Sequence, residues 1–176
     1  HFQDKTDSFK DWAGKLKEYA HGPGILEQLD YWKGIGETAV EPLPRDKQPD
    51  PADRVYANVE TIEISLDKTH TADLLKRANR AYTTEINHLL LTALGRAAGD
   101  WAGIHKIAVN LEGHGREDIV PGIDISRTVG WFTSVFPVIL DMTGEKELSY
   151  RVKQVKETLR RVPARGTGYG ILKYLT

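Results

Sequence analysis

The sequence predicts a mixed α/β domain, and two kinds of periodicity lead to that prediction. Apolar residues alternate with polar ones near residues 55–66 and 107–112, the pattern of half-buried strands, and residues 129–140 form a third, more apolar strand. Apolar residues recur at helical spacing before, between and after these segments. The predicted order is helix–helix, a linker, and then β-α-α-β-β-α, so we expect a mixed sheet flanked by helices.

Two helices are predicted at the start of the chain. Ser8 can cap the first, over residues 8–20, and residues 21–24 (HGPG) end it. Its apolar face comprises Phe9, Trp12, Leu16 and Tyr19. The apolar face of the second helix comprises Ile25, Leu26, Leu29 and Trp32. Residues 34–54 then combine glycines and prolines with charged residues, which predicts an extended linker between two lobes.

The remaining elements follow the linker. The strand near 55–66 alternates around Ile62 and Ile64, Thr71 can cap the next helix, and Thr84 opens a stronger one. The stronger helix carries a broad apolar stripe of Ile86, Leu89, Leu90, Ala93, Leu94 and Ala97. The last helix carries Leu148, Val152, Val155 and Leu159 at helical spacing, and Pro163 ends it.

The composition allows a substantial core and excludes several classes of protein. The chain has 176 residues, 40% of them hydrophobic, a net charge of −1 and no cysteine. The charge argues against nucleic-acid binding, and the lack of cysteine excludes disulfides, thiolate metal sites and a cysteine nucleophile. No apolar run reaches the roughly 20 residues that cross a bilayer, and no secretory signal opens the chain. We therefore expect a cytoplasmic protein without membrane or nucleic-acid partners.

The segment 112–117 (EGHGRE) can carry chemistry. Glu112 stands at a strand end, opposite the face of Ile107, Val109 and Leu111, and the glycines that follow permit a tight turn. Glu112 could act as a general acid or base with Arg116 as its electrostatic partner, or the segment could be a charged surface turn. His114 has no second ligand at metal-binding spacing, so no metal site is predicted.

Three other segments are candidates for function. In residues 126–137 (SRTVGWFTSVFP), consecutive Trp131 and Phe132 point to opposite faces of a strand, so one lines a groove while the other packs, unless the whole segment is core. Residues 163–170 (PARGTGYG) follow a helix and lack the Lys-Ser/Thr of a phosphate loop, which favours a flexible turn. His88 lies on the less apolar side of its helix and is expected to be structural or exposed.

Taken in order, these segments resemble the motifs of epimerization domains in nonribosomal peptide synthetases. The motifs are EINHLLLTAL (85–94), EGHGRE (112–117), RTVGWFTSVFP (127–137) and PARGTGYG (163–170). The opening residues 5–13 (KTDSFKDWA) are similar to the segment that such domains carry between their halves. The resemblance covers nearly the whole chain and points to bacterial cyclic-peptide synthetases of the tyrocidine and gramicidin S type.

The resemblance implies a fold similar to chloramphenicol acetyltransferase, with two lobes in a V and an active-site tunnel between them. Residues 1–45 would end the N-terminal lobe and cross over, residues 46–54 would link, and residues 55–176 would form an incomplete C-terminal lobe. The implied reaction inverts the α-carbon, from L to D, of an aminoacyl or peptidyl thioester. The thioester hangs on the 4′-phosphopantetheine arm of a peptidyl carrier domain, the chemistry itself needs no cofactor, and a downstream synthetase module is a further partner.

The resemblance also suggests roles for particular residues. Glu112 would face one side of the α-carbon, and a family histidine would face the other. We expect Arg116 to orient the site, or to bind a phosphate or enolate oxygen, rather than to pair tightly with Glu112. The residues expected to bind substrate are Trp131, Phe132, Thr133 and Ser134.

One family motif, HHxxxDG, is missing from this sequence. None of the six histidines stands in such a context, and the chain opens on His1 rather than on methionine. We therefore expect a C-terminal fragment that is inactive alone, with the missing N-terminal lobe supplying the motif histidine. Two alternatives are a condensation domain, which forms peptide bonds on the same fold, and a non-catalytic fragment that docks a carrier protein. The EGHGRE and RTVGWFT segments favour epimerization over condensation.

Overall fold

The computed structural model describes residues 5–48, 50–53, 55–144 and 146–176. Its contacts divide the chain into two compact units. Unit 1 comprises the chain up to Val40 together with Ala108–Leu140 and Glu157–Thr176. Unit 2 comprises Glu41–Ile107 and Asp141–Lys156.

Unit 1 begins with the predicted capped helix. Helix α1 spans Phe9–Ala20, and the amide of Asp11 donates to Ser8 Oγ at 3.1 Å, which confirms Ser8 as the cap. The predicted second helix is in fact two, α2 (Pro23–Leu26) and α3 (Leu29–Glu37). Helix α3 runs through both glycines assigned to the linker, so the irregular connection starts four residues later than predicted, at Thr38.

The sheet of the described residues consists of two antiparallel strands, β1 (Lys106–Gly113) and β2 (Ser134–Asp141). The start of β1 lies beside the end of β2, because the amide of Met142 donates to the carbonyl of His105 at 2.6 Å. Strand β1 agrees with its prediction. Strand β2 begins at Ser134 rather than at residue 129, because residues 129–133 follow an irregular path that is described with the site.

Two apolar clusters form the core of unit 1. The first contains the buried residues Trp32, Phe136, Val138 and Val162, with Val109 and Leu111 of β1 packed against them. The second contains Ala20, Ile25 and Ile171, and so joins α1 and α2 to the last helix, α8 (Thr167–Tyr174). The alternation of buried and open residues along both strands therefore directs one face of the sheet to the core.

Unit 2 is mainly helical. A helical run consists of α4 (Lys68–Ala72), a π-helical segment (Asp73–Ala78) and α5 (Asn79–Tyr82). Helix α6 spans Ile86–Ala102, and α7 spans Leu148–Arg160, as predicted. The predicted cap Thr71 lies four residues after the true one, and the predicted opening residue Thr84 lies one residue before the true cap of α6. Asp67 caps α4, and Glu85 caps α6 in a box with His88, whose Nδ1 accepts the Glu85 amide at 2.8 Å. That contact is structural, as expected for His88.

The predicted strand near 55–66 is not formed. Tyr56–Asn58 is a 3₁₀ turn, and residues 59–67 run on without strand or helix. Ile62 and Ile64 are 92% and 91% exposed. The alternating pattern is present, but an extended segment becomes a strand only when another strand pairs with it, and the described residues supply none. The sheet of the described chain is therefore two-stranded and antiparallel rather than mixed.

The predicted core stripe of α6 is also wrong. Leu90 and Leu94 are 51% and 47% exposed, whereas the buried residues are Leu91, Thr92, Gly95 and Ala98. Gly95 lies on this face and permits the close approach of Met142, because a Cβ there would lie 2.6 Å from Met142 Cε. The helix is apolar on most of its surface, so periodicity alone does not choose the side that packs. Among the described residues, no helix is long and apolar enough to span a bilayer.

Candidate active site

Glu112 lies near the end of β1, on the face opposite the core. Ile107 is buried, Val109 and Leu111 are half-buried, and Glu112 is exposed, so the strand alternation places the carboxylate as the sequence predicts. Its open position in unit 1 leaves the carboxylate available to contact a reactant. Whether it transfers a proton stays a prediction.

Three of the sequence segments meet around the next residue, Gly113. A Cβ at Gly113 would lie 2.9 Å from Ser134 Oγ and 3.6 Å from the carbonyl oxygen of Arg165. The EGHGRE, VGWFTS and PARG segments, far apart in sequence, therefore come together at the end of β1. A side chain at Gly113 would displace the Ser134 hydroxyl, whereas the distance to Arg165 is an ordinary contact distance.

The turn after β1 depends on a second glycine. Gly115 has a φ of 68°, and a Cβ there would lie 1.5 Å from the carbonyl oxygen of Phe132. Both the backbone conformation and the lack of space exclude a side chain. The turn therefore packs directly against the backbone of the VGWFTS segment.

The side chain of Arg116 binds to the loop that leads into the VGWFTS segment. Its guanidinium donates to the carbonyl of Ile125 and, at 2.8 Å, to the carbonyl of Thr128. The guanidinium carbon also lies 4.0 Å from the centre of the Phe132 ring, a cation–π contact. These contacts join the turn to the 125–132 loop, and they engage Arg116 away from the carboxylate of Glu112.

The consecutive aromatic residues 131 and 132 point in opposite directions. Phe132 is 6% exposed and packs against Phe9 and Trp12 with ring centres 5.2 and 5.0 Å apart. Trp131 is 84% exposed. The predicted packing of one aromatic is confirmed for Phe132, and the alternative that the whole segment is core is wrong. That Trp131 lines a groove stays a prediction, and the segment is irregular rather than the strand on which the prediction rested. A Cβ at Gly130 would lie 2.7 Å from a ring carbon of Phe9, so this part of the segment also packs closely against the start of α1.

The other two predicted substrate residues differ from each other. Thr133 is exposed, and Ser134 is half-buried. Within the described residues, Ser134 Oγ is shielded from solvent and has no hydrogen-bond partner. An unpaired buried hydroxyl is uncommon in proteins and marks the Gly113–Ser134 contact as a place to look for function.

Residues 163–170 are more ordered than the predicted flexible turn. Pro163–Gly166 forms a 3₁₀ turn, and α8 starts at Thr167, so the glycine-rich half of the segment is helical. Ala164 and Arg165 have φ values of 44° and 46°, in the left-handed region that non-glycine residues seldom occupy. Gly166 follows at 88°, with no room for a Cβ against the ring of Phe136. Such backbone strain is often found at functional sites.

A cavity of about 260 Å³ lies on the Arg116 side of the turn. Its lining includes Trp12, Arg116, Glu117, Asp118, Asp124 and Ser126. Hydrogen bonds from the side chain and the backbone of Ser126 hold the pKa of Asp124 below its usual range. Asp7 ties the same loop to the start of the chain, because its carboxylate accepts the Asp124 amide at 2.7 Å. Sequence reasoning missed Trp12 and Asp124, since no local pattern relates them to Arg116.

No group of three or more potential ligands in the described ranges is arranged to hold a metal ion. His114 is instead engaged by its own turn. Its Nδ1 accepts the amide of Arg116 at 3.0 Å, and its Nε2 lies 3.1 Å from Glu117 Oε1.

Comparison with known proteins defines the class to which this chain belongs. The chain belongs to the Condensation domain family, whose model matches residues 1–176. It is 46% identical in sequence to the epimerization domain from the third module of tyrocidine synthetase B, whose crystal structure superposes with a TM-score of 0.90. The match covers 100% of this chain and 39% of that one. The α/β, chloramphenicol-acetyltransferase-like fold predicted from the resemblance is thereby confirmed.

Curated relatives are bacterial peptide synthetases. The chain is 51% identical over 171 residues to bacitracin synthase 3 of Bacillus licheniformis, covering 97% of the chain and 3% of the relative. It is 47% identical over 173 residues to gramicidin S synthase 1 of Brevibacillus brevis, covering 98% and 16%. The first condensation domain of the calcium-dependent antibiotic synthetase shares the fold at 15% identity and a TM-score of 0.68, with 100% and 37% covered. The chain thus spans a small part of the curated relatives.

Proposed function

We propose that this chain forms part of an epimerization domain that converts the α-carbon of a carrier-bound aminoacyl or peptidyl thioester from L to D. The convergence of three segments around Gly113 is the observation that carries the proposal. The 46% identity to a solved epimerization domain, extending over the whole chain, supports it. The reaction is an isomerisation within nonribosomal peptide antibiotic synthesis.

The chemistry explains why an exposed carboxylate at a strand end is useful. The α-proton of a thioester is a weak acid, so its removal needs a positioned base and stabilisation of the enolate that forms. Return of a proton to the opposite face gives the inverted centre. In the proposal Glu112 transfers the proton on one face, and a histidine of the HHxxxDG motif, outside this chain, serves the other.

Other residues would position the substrate. Trp131 and Thr133 are exposed beside the Glu112 strand end and can contact the acyl group or its pantetheine arm. Phe132 and Ser134 are more buried, so in the proposal they support the segment from beneath. Arg116 orients the turn through the Ile125 and Thr128 carbonyls, which favours the positioning role over direct enolate binding.

The partners follow from the substrate. A peptidyl carrier domain would present the thioester on 4′-phosphopantetheine, and a downstream synthetase module would receive the D-product. No further cofactor enters the proposed chemistry, and the location would be cytoplasmic. The division into an N-terminal lobe, a linker at residues 46–54 and a C-terminal lobe belongs to the same proposal.

The test is Glu112→Gln in the full-length protein that carries this chain. The loaded carrier is incubated in deuterated water, and α-deuterium incorporation is followed by mass spectrometry. We expect the exchange rate to fall by about 10²–10⁴-fold, the usual contribution of general acid–base catalysis. The control is Glu63→Gln, which changes an exposed glutamate in the other unit, unit 2, and should leave the α-proton exchange rate at the parental value. Exchange by Glu112→Gln at the parental rate would remove Glu112 from the mechanism.

The product separates this proposal from its alternatives. A D-configured thioester on a single loaded carrier indicates epimerization, whereas an elongated peptide indicates condensation. Carrier binding with neither product indicates a non-catalytic docking role. The comparison with a solved epimerization domain favours the first outcome.

A further inference from the structure

Glu117, the last residue of the EGHGRE segment, is a mostly buried carboxylate with two partners. Its side chain is 18% exposed. One oxygen, Oε1, lies 3.1 Å from His114 Nε2, and the other, Oε2, lies 3.8 Å from Arg165 Nε. A carboxylate withdrawn from water needs donors or cations nearby, and each oxygen of Glu117 has a basic neighbour. The side chains of those neighbours are largely exposed, 61% for His114 and 79% for Arg165, so each contact is partly screened by water.

The contact with His114 belongs to the turn itself. His114 Nδ1 accepts the backbone amide of Arg116, which fixes the ring within the turn and leaves Nε2 facing Glu117. The imidazole and the carboxylate of Glu117 are therefore close neighbours, 3.1 Å apart at Nε2 and Oε1.

The contact with Arg165 reaches the second segment. Arg165 has a left-handed backbone conformation, with a φ of 46°, and this conformation needs support from its surroundings. The carbonyl oxygen of Arg165 packs beside Gly113, at 3.6 Å from the position that a Cβ of Gly113 would occupy. Gly113 directly follows Glu112, so an ion pair that restrains Arg165 also restrains the backbone against the end of β1.

We propose that Glu117 is a positioning residue that fastens the 163–166 turn to the 114–117 turn and thereby sets the backbone around Glu112. Its partner in this role is Arg165, 48 positions later in the sequence. The role of Glu117 in the reaction rests on the proposed function. The ion pair itself does not depend on that function.

The experiment is a double-mutant cycle in the full-length protein, with Glu117→Gln, Arg165→Gln and the two changes combined. Each variant is assayed for α-proton exchange in deuterated water, with kcat and KM determined separately. Trypsin cleavage after Arg161, beside the 163–166 turn, is followed by mass spectrometry as a readout that needs no activity. Glu157→Gln is the matched control, because it removes an exposed carboxylate paired with Arg160.

We expect Glu117→Gln to lower kcat about tenfold with KM nearly unchanged, the effect of a small misplacement of reacting groups. Arg165→Gln should lower it similarly, and the double variant should be no worse than either single one. Cleavage after Arg161 should accelerate in Glu117→Gln and Arg165→Gln but not in Glu157→Gln. Multiplying effects in the double variant, or cleavage at the parental rate, would overturn the pairing.

The parent protein and the Glu117→Gln variant test different things. A parent protein that exchanges no α-proton contradicts the proposed function, whatever the variants do. A parent that exchanges normally, together with Glu117→Gln at the same kcat, contradicts the positioning role alone.

Discussion

Replacing Arg116 with methionine tests whether this side chain holds the site together. Methionine keeps much of the apolar stem but removes the guanidinium that donates to the Ile125 and Thr128 carbonyls and lies 4.0 Å from the Phe132 ring centre. Loops 114–118 and 125–132 would lose their main polar connection. The expected result is a clear loss of stability.

The size of the loss can be worked from these contacts. A hydrogen bond from a charged donor contributes about 1.5–3 kcal/mol, and the lower value suits carbonyls in partly exposed loops. A cation–π contact of this kind adds about 0.5–1 kcal/mol. Two such hydrogen bonds and the cation–π contact together lower the free energy of unfolding by about 3.5–4 kcal/mol. At a urea m-value of about 2 kcal/mol/M, the unfolding midpoint moves down by about 1.8–2 M.

The assay is equilibrium urea unfolding of the chain, followed by tryptophan emission. Arg116→Lys is the informative companion, because it keeps the charge but lacks the planar fork that reaches two carbonyls, so it should lose about half as much stability. A midpoint shift below about 0.5 M for Arg116→Met, at an unchanged m-value, would refute the idea that Arg116 connects the two loops.

Two further predictions concern backbone and charge. Gly166→Ala should lower the free energy of unfolding by about 3 kcal/mol, because φ is 88° and a Cβ would fall 1.9 Å from a ring carbon of Phe136. Gly170→Ala, inside α8 and with open space around it, should raise the free energy of unfolding by about 0.5 kcal/mol. Melting temperatures of the two variants that move in the same direction would contradict this. The His70 amide, the largest influence, and the His70 side chain lower the pKa of Asp67 from 3.8. Asp67 should therefore stabilise α4 above about pH 4 and lose this contribution as the pH falls through its folded pKa. Asp67→Asn should flatten that acid limb in a circular-dichroism titration, and an unaltered limb would contradict the assignment.

Local signals predicted the elements that depend on local contacts. Ser8 caps α1 through a residue three positions away, and the alternation of β1 places Glu112 opposite Leu111. Both relations lie within one turn or one strand, so the sequence contains all the necessary information. The motif resemblance identified the family for a similar reason, since ordered segments are visible in the sequence itself.

Contacts between segments far apart in the sequence could not be predicted from local residue patterns. The side of α6 that packs is decided by Met142, 47 positions after Gly95, and an apolar helix gives no preference by itself. The segment 59–67 has the period of a strand, but pairing is a property of two segments rather than one. The same holds in the site, where Glu117 and Arg165 meet only because both segments reach the end of β1.

The open indole of Trp131 gives the protein an intrinsic optical probe. Its ring is 84% exposed, while the adjacent Phe132 anchors the same loop at 6% exposure. Tryptophan emission shifts to shorter wavelength when water around the ring is replaced by protein or ligand. Trp101 is the other widely exposed indole, at 69%, and its replacement by phenylalanine would leave Trp131 as the dominant solvent-sensitive fluorophore. If the proposed function holds, the approach of a loaded carrier arm to this loop would change that emission, which a stopped-flow fluorimeter can follow without any added label.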